Sequence, residues 1–120
     1  MEVNPKKFFK TIFLEEVRQF LKIIDNKAVS KIFYNVASAE QTNDPELFKK
    51  LTNDIWEFRT RFGNLQYRLL AFWDKTEKDC TLVVATHGMI KKTARMPVKE
   101  IKKADKIRCW YFLDKKIKQV

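Results

Sequence analysis

Two glycines, three prolines, two cysteines and one histidine are all that this 120-residue chain holds of those four residue types. So few glycines leave no Gly-rich loop to cradle a phosphate, and no collagen-like or linker-like stretch. Cys80 and Cys109 cannot build a disulfide framework, and they stand too far apart for a CxxC motif. Both are expected to be buried thiols. His87 lacks the partners of a zinc site or a nucleophilic triad, so no metal and no cofactor is expected. No apolar run approaches the ~20 residues of a membrane span; the longest are Leu69–Trp73 and Leu82–Ala85. The opening MEVNPKKFFK is basic but has no apolar segment of secretory length. A soluble, cytoplasmic protein with no membrane partner is the expectation.

Apolar residues make up 45% of the chain, and 25 Lys plus Arg stand against 15 Asp plus Glu. The length argues for a single domain over 1–120, able to build one core without covalent staples. The excess charge is uneven: residues 1–90 carry 14 basic and 12 acidic side chains, whereas residues 91–120 carry 11 basic and three acidic. Concentrated like charge weakens a compact state, so it marks either an anionic partner or a solvated face on a terminal helix.

Residues 6–12, KKFFKTI, form a β-capable run. From Phe13 the period becomes helical, with Val17, Phe20, Leu21 and Ile24 on one stripe. Asp25-Asn26-Lys27 breaks that helix, and Val29, Ile32, Phe33 and Val36 mark a second, giving an αα-hairpin. Asp44-Pro45-Glu46 reads as a short helical turn. From Asp54 the residues alternate: Trp56, Phe58 and Thr60 face inward while Glu57, Arg59 and Arg61 project from the other face. Phe62-Gly63-Asn64 has hairpin chemistry and leads into the strand 65–73. After a charged turn, residues 80–87 form a third strand. Pro97 then opens a last helix, with Ile101, Ala104, Ile107 and Tyr111 inward and Lys99, Lys102, Lys103 and Lys106 on an exposed flank. The three strands form an antiparallel meander, with helices covering one face.

Cations recur on or beside this sheet: Arg59 and Arg61, Arg68, and Lys91 with Lys92. An arginine inside an apolar strand is costly to desolvate. Arg68 therefore either pairs with an acid such as Glu57 or Asp74, or faces a cleft and forks onto a phosphate.

The set of short words carried by these residues resembles the RelE/ParE superfamily of toxins, in its HigB-like, phage-derived host-killing branch. The words are Phe58-Arg59-Thr60-Arg61-Phe62, Gly63 with Tyr67-Arg68, His87 through Thr93, and Pro97 with Glu100-Ile101 and Ala104. Each is weak alone, but their order and spacing over ~50 residues are specific. The resemblance implies an α+β fold: a RelE-like antiparallel twisted sheet, an N-terminal helical hairpin and a closing C-terminal helix. It implies metal-independent cleavage of messenger RNA in the ribosomal A site, by a toxin restrained by a HigA-like helix-turn-helix antitoxin.

Within that reading Arg68 is the first phosphate clamp, shared by Arg59 or Arg61. Lys91 or Lys92 serves as general base if neighbouring cations and desolvation lower its pKa, and Lys92 better matches the family's basic position. Gln66 stands near the scissile phosphate, and Lys99, Lys102 and Lys103 bind RNA or an acidic antitoxin. His87 is expected to be structural, and no general acid emerges. Two other readings share the residues: a ParE-like gyrase inhibitor and a non-catalytic basic nucleic-acid-binding module.

Overall fold

The computed structural model describes residues 7–118. Lys6, the first residue of the expected opening strand, lies outside them. The order is β1 (Lys10–Phe13), α1 (Glu15–Ile23), α2 (Asn26–Thr42), β2 (Phe48–Lys50), β3 (Trp56–Phe62), β4 (Leu65–Asp74), β5 (Leu82–Lys91) and α3 (Val98–Lys118). This is the expected α+β arrangement. The five strands lie in the order β1-β5-β4-β3-β2. All neighbours are antiparallel except β1 and β5, which run parallel.

Local chemistry explains the boundaries. Glu15 and Glu16 occupy the first turn of α1, where carboxylates favour the helix dipole. The Asp25 side chain accepts the Lys27 amide at 2.7 Å and so caps α2. Asn43 ends α2 in the left-handed region. Gly63 and Asn64 both have positive φ, at 56° and 65°, the geometry of a two-residue hairpin whose twist suits its strands. After Asp44-Pro45-Glu46 the chain makes a single turn and enters β2.

Four expectations are corrected here. Phe13 closes β1 instead of opening α1. The helices cover both faces of the sheet. α1 and α2 pack on the face built from Phe58, Tyr67, Leu69, Ala71, Val83 and Ala85. α3 packs on Ile55, Leu70, Phe72 and Val84 through Ile101, Ala104, Tyr111 and Phe112. The third strand of the meander extends to Lys91, so Gly88–Lys91 is strand and not loop. Cys80 and Cys109 are both exposed: Cys80 precedes β5 in the charged turn, and Cys109 lies on the outer side of α3.

Two features fix β5. Thr86 is an extra residue opposite the Leu70–Ala71 step, a β-bulge that bends the strand. Gly88 lies against the Phe20 ring, where an added Cβ would stand 2.3 Å from a ring carbon. Only a residue without a side chain allows α1 so near the sheet.

The end of the sheet near Asp74 is pinned to α3. The Asp74 carboxylate accepts from Tyr111 Oη at 2.6 Å and Lys115 Nζ at 2.8 Å. It also accepts from the Thr76 amide and hydroxyl. These donors outweigh burial and hold the Asp74 carboxyl well below the usual carboxylate range. Burial, then the Asp74 hydrogen bond, push the Tyr111 phenol upward.

Candidate active site

α3 covers only the half of its sheet face nearest Ile55, Phe72 and Asp74. The other half carries charge. Strand alternation places Glu57, Arg59 and Arg61 on it from β3, and Gln66 and Arg68 from β4. The extended β5 adds Lys91, directly opposite Gln66. Arg59 pairs with Arg68 across the ladder, and Arg61 with Gln66. Five of the residues singled out in the sequence therefore converge: Arg59, Arg61, Gln66, Arg68 and Lys91.

One carboxylate sits beneath them. Glu57 is buried, with Arg59 Nε and Arg68 Nε each 3.5 Å from its oxygens. These are ion contacts longer than hydrogen bonds. Glu57 Oε1, Arg59 Nε and Arg68 Nε have no hydrogen-bond partner among the described residues. Such buried polar groups are uncommon in folded proteins and raise the energy of the unliganded site.

Arg68 is only 3% exposed. Its Nη1 donates to the Tyr67 carbonyl at 3.0 Å and its Nη2 to Gln66 Oε1 at 2.8 Å. The two readings of Arg68 are therefore not exclusive: it is held internally by Glu57, not by Asp74, and it still lines a cavity. Each terminal nitrogen keeps a second N–H beyond these bonds, and Nε has no hydrogen-bond partner among the described residues, so Arg68 keeps donors for a phosphate in the cavity it lines. Burial lowers its pKa first, partly offset by Glu57, and Arg59 lowers it further.

The cavity has a volume of about 550 Å³. It follows the edge of β3 that β2 leaves unpaired, since β2 pairs only with Trp56–Phe58. Arg59, Arg61, Gln66 and Arg68 line it from the sheet, and Lys31 and Asn35 from α2. Asn35 Nδ2 donates to Thr60 Oγ1 at 3.1 Å, and Lys31 Nζ to the Arg61 carbonyl at 2.5 Å. Asp44 and Glu46 contribute the acidic rim. Sequence reasoning missed Lys31 and Asn35, and also Lys49, which stands opposite Glu57 from β2. A polar Asn35 between the apolar positions Ile32 and Val36 was the available signal.

Lys91 and Lys92 separate in the structure. Lys91 is half-buried, and burial, then Arg68, hold its ammonium pKa below the ordinary value. Arg59 and Lys49 act in the same direction, against Glu57. Lys92 follows the end of β5 and is exposed.

The α3 lysines stand apart from the cavity. Lys103 Nζ lies 3.3 Å from Glu16 of α1, and Lys99 and Lys102 are exposed. Nearby, Thr86 Oγ1 is hydrogen-bonded to the Leu70 carbonyl at 3.3 Å and shares a hydrogen bond with His87 Nδ1 at 2.9 Å. That leaves His87 Nε2 facing Glu100 at 3.5 Å. Burial first, then Lys103, depress the His87 pKa against the pull of Glu100. Among the described residues no three His, Cys, Asp or Glu side chains stand where they could hold a metal ion. No described helix is long and apolar enough to cross a membrane.

A five-stranded, mostly antiparallel sheet with N-terminal helices, a C-terminal helix and a cationic half-face defines a basic α+β protein. Residues 19–109 match the family described as Phage derived protein Gp49-like (DUF891). The chain belongs to that family, a HigB/RelE-like toxin family whose members imply an antitoxin partner. The match spans every residue of the converging cluster. A comparison with curated proteins found no match.

Proposed function

We propose that this protein is a ribosome-dependent endoribonuclease toxin that cleaves messenger RNA in the A site without a metal, and that a HigA-like helix-turn-helix antitoxin holds it in check. The observation that carries the reading is the convergence of Arg59, Arg61, Gln66, Arg68 and Lys91 on an uncovered sheet face above one carboxylate.

The reaction needs the RNA 2′-hydroxyl to lose its proton and attack the adjacent phosphorus. The bond to the 5′-oxygen then breaks, that oxygen takes a proton from water, and a 2′,3′-cyclic phosphate is left. Lys91 suits the proton-accepting role better than Lys92, because burial and Arg68 bias it toward the neutral amine. Arg61, which is exposed, and Arg59, through the nitrogens that Glu57 does not engage, meet the phosphate, and a preorganised charge at a developing dianion is a large catalytic contribution. Arg68 acts behind them. It anchors Gln66 by hydrogen bond, adds positive potential and biases Lys91. Lys99, Lys102 and Lys103 extend the basic surface for ribosomal RNA or an acidic antitoxin segment.

The test is cleavage of a ribosome-bound transcript. Arg61→Ala and Lys91→Met should each lower the rate by about 10²–10⁴-fold, the range of a single electrostatic or acid–base group. Lys92→Met should change it far less. Growth arrest with every transcript intact would overturn the reading and favour gyrase inhibition. Salt-dependent RNA binding without toxicity would favour a non-catalytic module.

A further inference from the structure

A second cavity, of about 520 Å³, lies at the other end of the sheet. Trp56, at the start of β3, and Trp73, near the end of β4, both line it and are both half-buried. Trp56 is five residues from Arg61, about 17 Å along an extended strand. Phe48 stacks beneath Trp56 with ring centroids 4.9 Å apart, so the indole is backed by a rigid aromatic layer. Trp73 meets Trp56 edge-on at 5.6 Å.

Three cations surround these rings: Lys50, Lys75 and Arg108. Lys75 Nζ lies over the Trp73 ring, 5.0 Å from its centroid. The acid in the lining, Asp54, is already engaged by Arg108 at 3.4 Å. Asn43 and Asn53 add amides at the rim. Both indoles pack against the core on one side and stay half-open on the other, beside Lys50 and Lys75, and an apolar partner would not be met by that charge. Aromatic faces with adjacent phosphate-seeking cations are the chemistry of single-stranded nucleic-acid contacts.

We propose that this cavity is a second RNA contact, taking one unpaired nucleotide with its base against Trp56 and Trp73 and its phosphates on Lys50 and Lys75. The chemistry of the cavity itself selects a nucleotide; that the polymer is RNA rests on the proposed function. The two contacts together give the protein a grip on the strand that does not depend on the converging arginines.

Indole fluorescence tests this directly. The chain has three tryptophans, and the third, Trp110, lies exposed on α3. In a Trp110→Phe background the signal comes from the two cavity rings alone. The probe is a 2′-O-methylated oligoribonucleotide, which lacks the attacking hydroxyl. Saturable quenching is expected, with inorganic polyphosphate of equal charge producing far less.

Lys50→Ala with Lys75→Ala, both exposed positions that leave the core intact, should weaken the quenching titration by about tenfold or more. The double substitution should also reduce the salt slope by roughly 1.4, at ~0.7 per phosphate contact. Trp73→Phe should retain the fold and weaken binding less. Absent quenching, equal quenching by polyphosphate, or an unchanged titration in the double variant would each overturn the proposal. With a 2′-O-methylated dinucleotide, too short to span the two sites, Arg61→Ala should be quenched as the parent is, which separates this site from the cleavage site.

Discussion

Replacing Glu57 by Gln keeps the shape of the side chain and removes the one negative charge beneath the converging cations. Breaking a fully hydrogen-bonded buried ion pair costs about 3–5 kcal/mol. The cost here should be smaller for two structural reasons. The contacts to Arg59 and Arg68 are both 3.5 Å, longer than a charge-assisted hydrogen bond. Arg68 also keeps its bonds to the Tyr67 carbonyl and Gln66. A loss of about 1–3 kcal/mol follows, or roughly 4–12 °C in Tm for a chain of this size. Urea unfolding with and without sulfate would measure it. Sulfate should stabilise Glu57→Gln more than the parent, because an anion can replace the lost carboxylate. Adding Arg59→Ala should recover part of the loss, since Arg59 then no longer repels Arg68 uncompensated. A Glu57→Gln protein as stable as the parent, with the same sulfate response, would refute the view that this carboxylate holds the cations together.

The Asp74 network should be read out by acid. Its folded pKa is depressed, so its stabilisation is complete above the unfolded value of ~3.9 and fades as the pH falls toward the folded one. Asp74→Asn should lower stability at pH 7 and flatten the dependence below pH ~4 in urea titrations; an unchanged acid limb would count against it. His87 has the same sign by a different route: its folded pKa is lowered below ~6.5, so the unfolded chain binds the extra proton and stability falls as the pH drops through ~6.5. His87→Gln should remove that part of the curve in thermal scans at pH 5 to 8, and retention of the full slope would assign it elsewhere. Gly88→Ala should cost about 1–3 kcal/mol by driving a methyl group into the Phe20 ring. An unaffected midpoint would mean that α1 shifts at little cost.

Much of this architecture was legible before any tertiary contact was known. The two N-terminal helices showed in their apolar period, the β3–β4 turn in Gly63-Asn64, and the cationic face in the alternation of Glu57, Arg59 and Arg61. These are local signals, set by side-chain spacing along one element. The length of β5 was not legible, because Gly88 reads as a strand breaker until Phe20 is seen to need its missing side chain. With β5 extended, Lys91 comes opposite Gln66 and within the field of Arg68, and Lys92 falls outside. The partner of Arg68 was one of two acids on the page of residues, and only the ladder register selected Glu57.

The amino-acid order by itself determined which elements form, which faces are apolar and where positive charge gathers, because each depends on neighbours a few residues away. Tertiary structure decided that α3 takes the second sheet face but covers only half of it, that Arg68 is gripped from within, and that Trp56 and Trp73 meet beside Lys50, Lys75 and Arg108. Those outcomes follow from register and helix placement between segments far apart in the chain, which no single stretch of residues encodes.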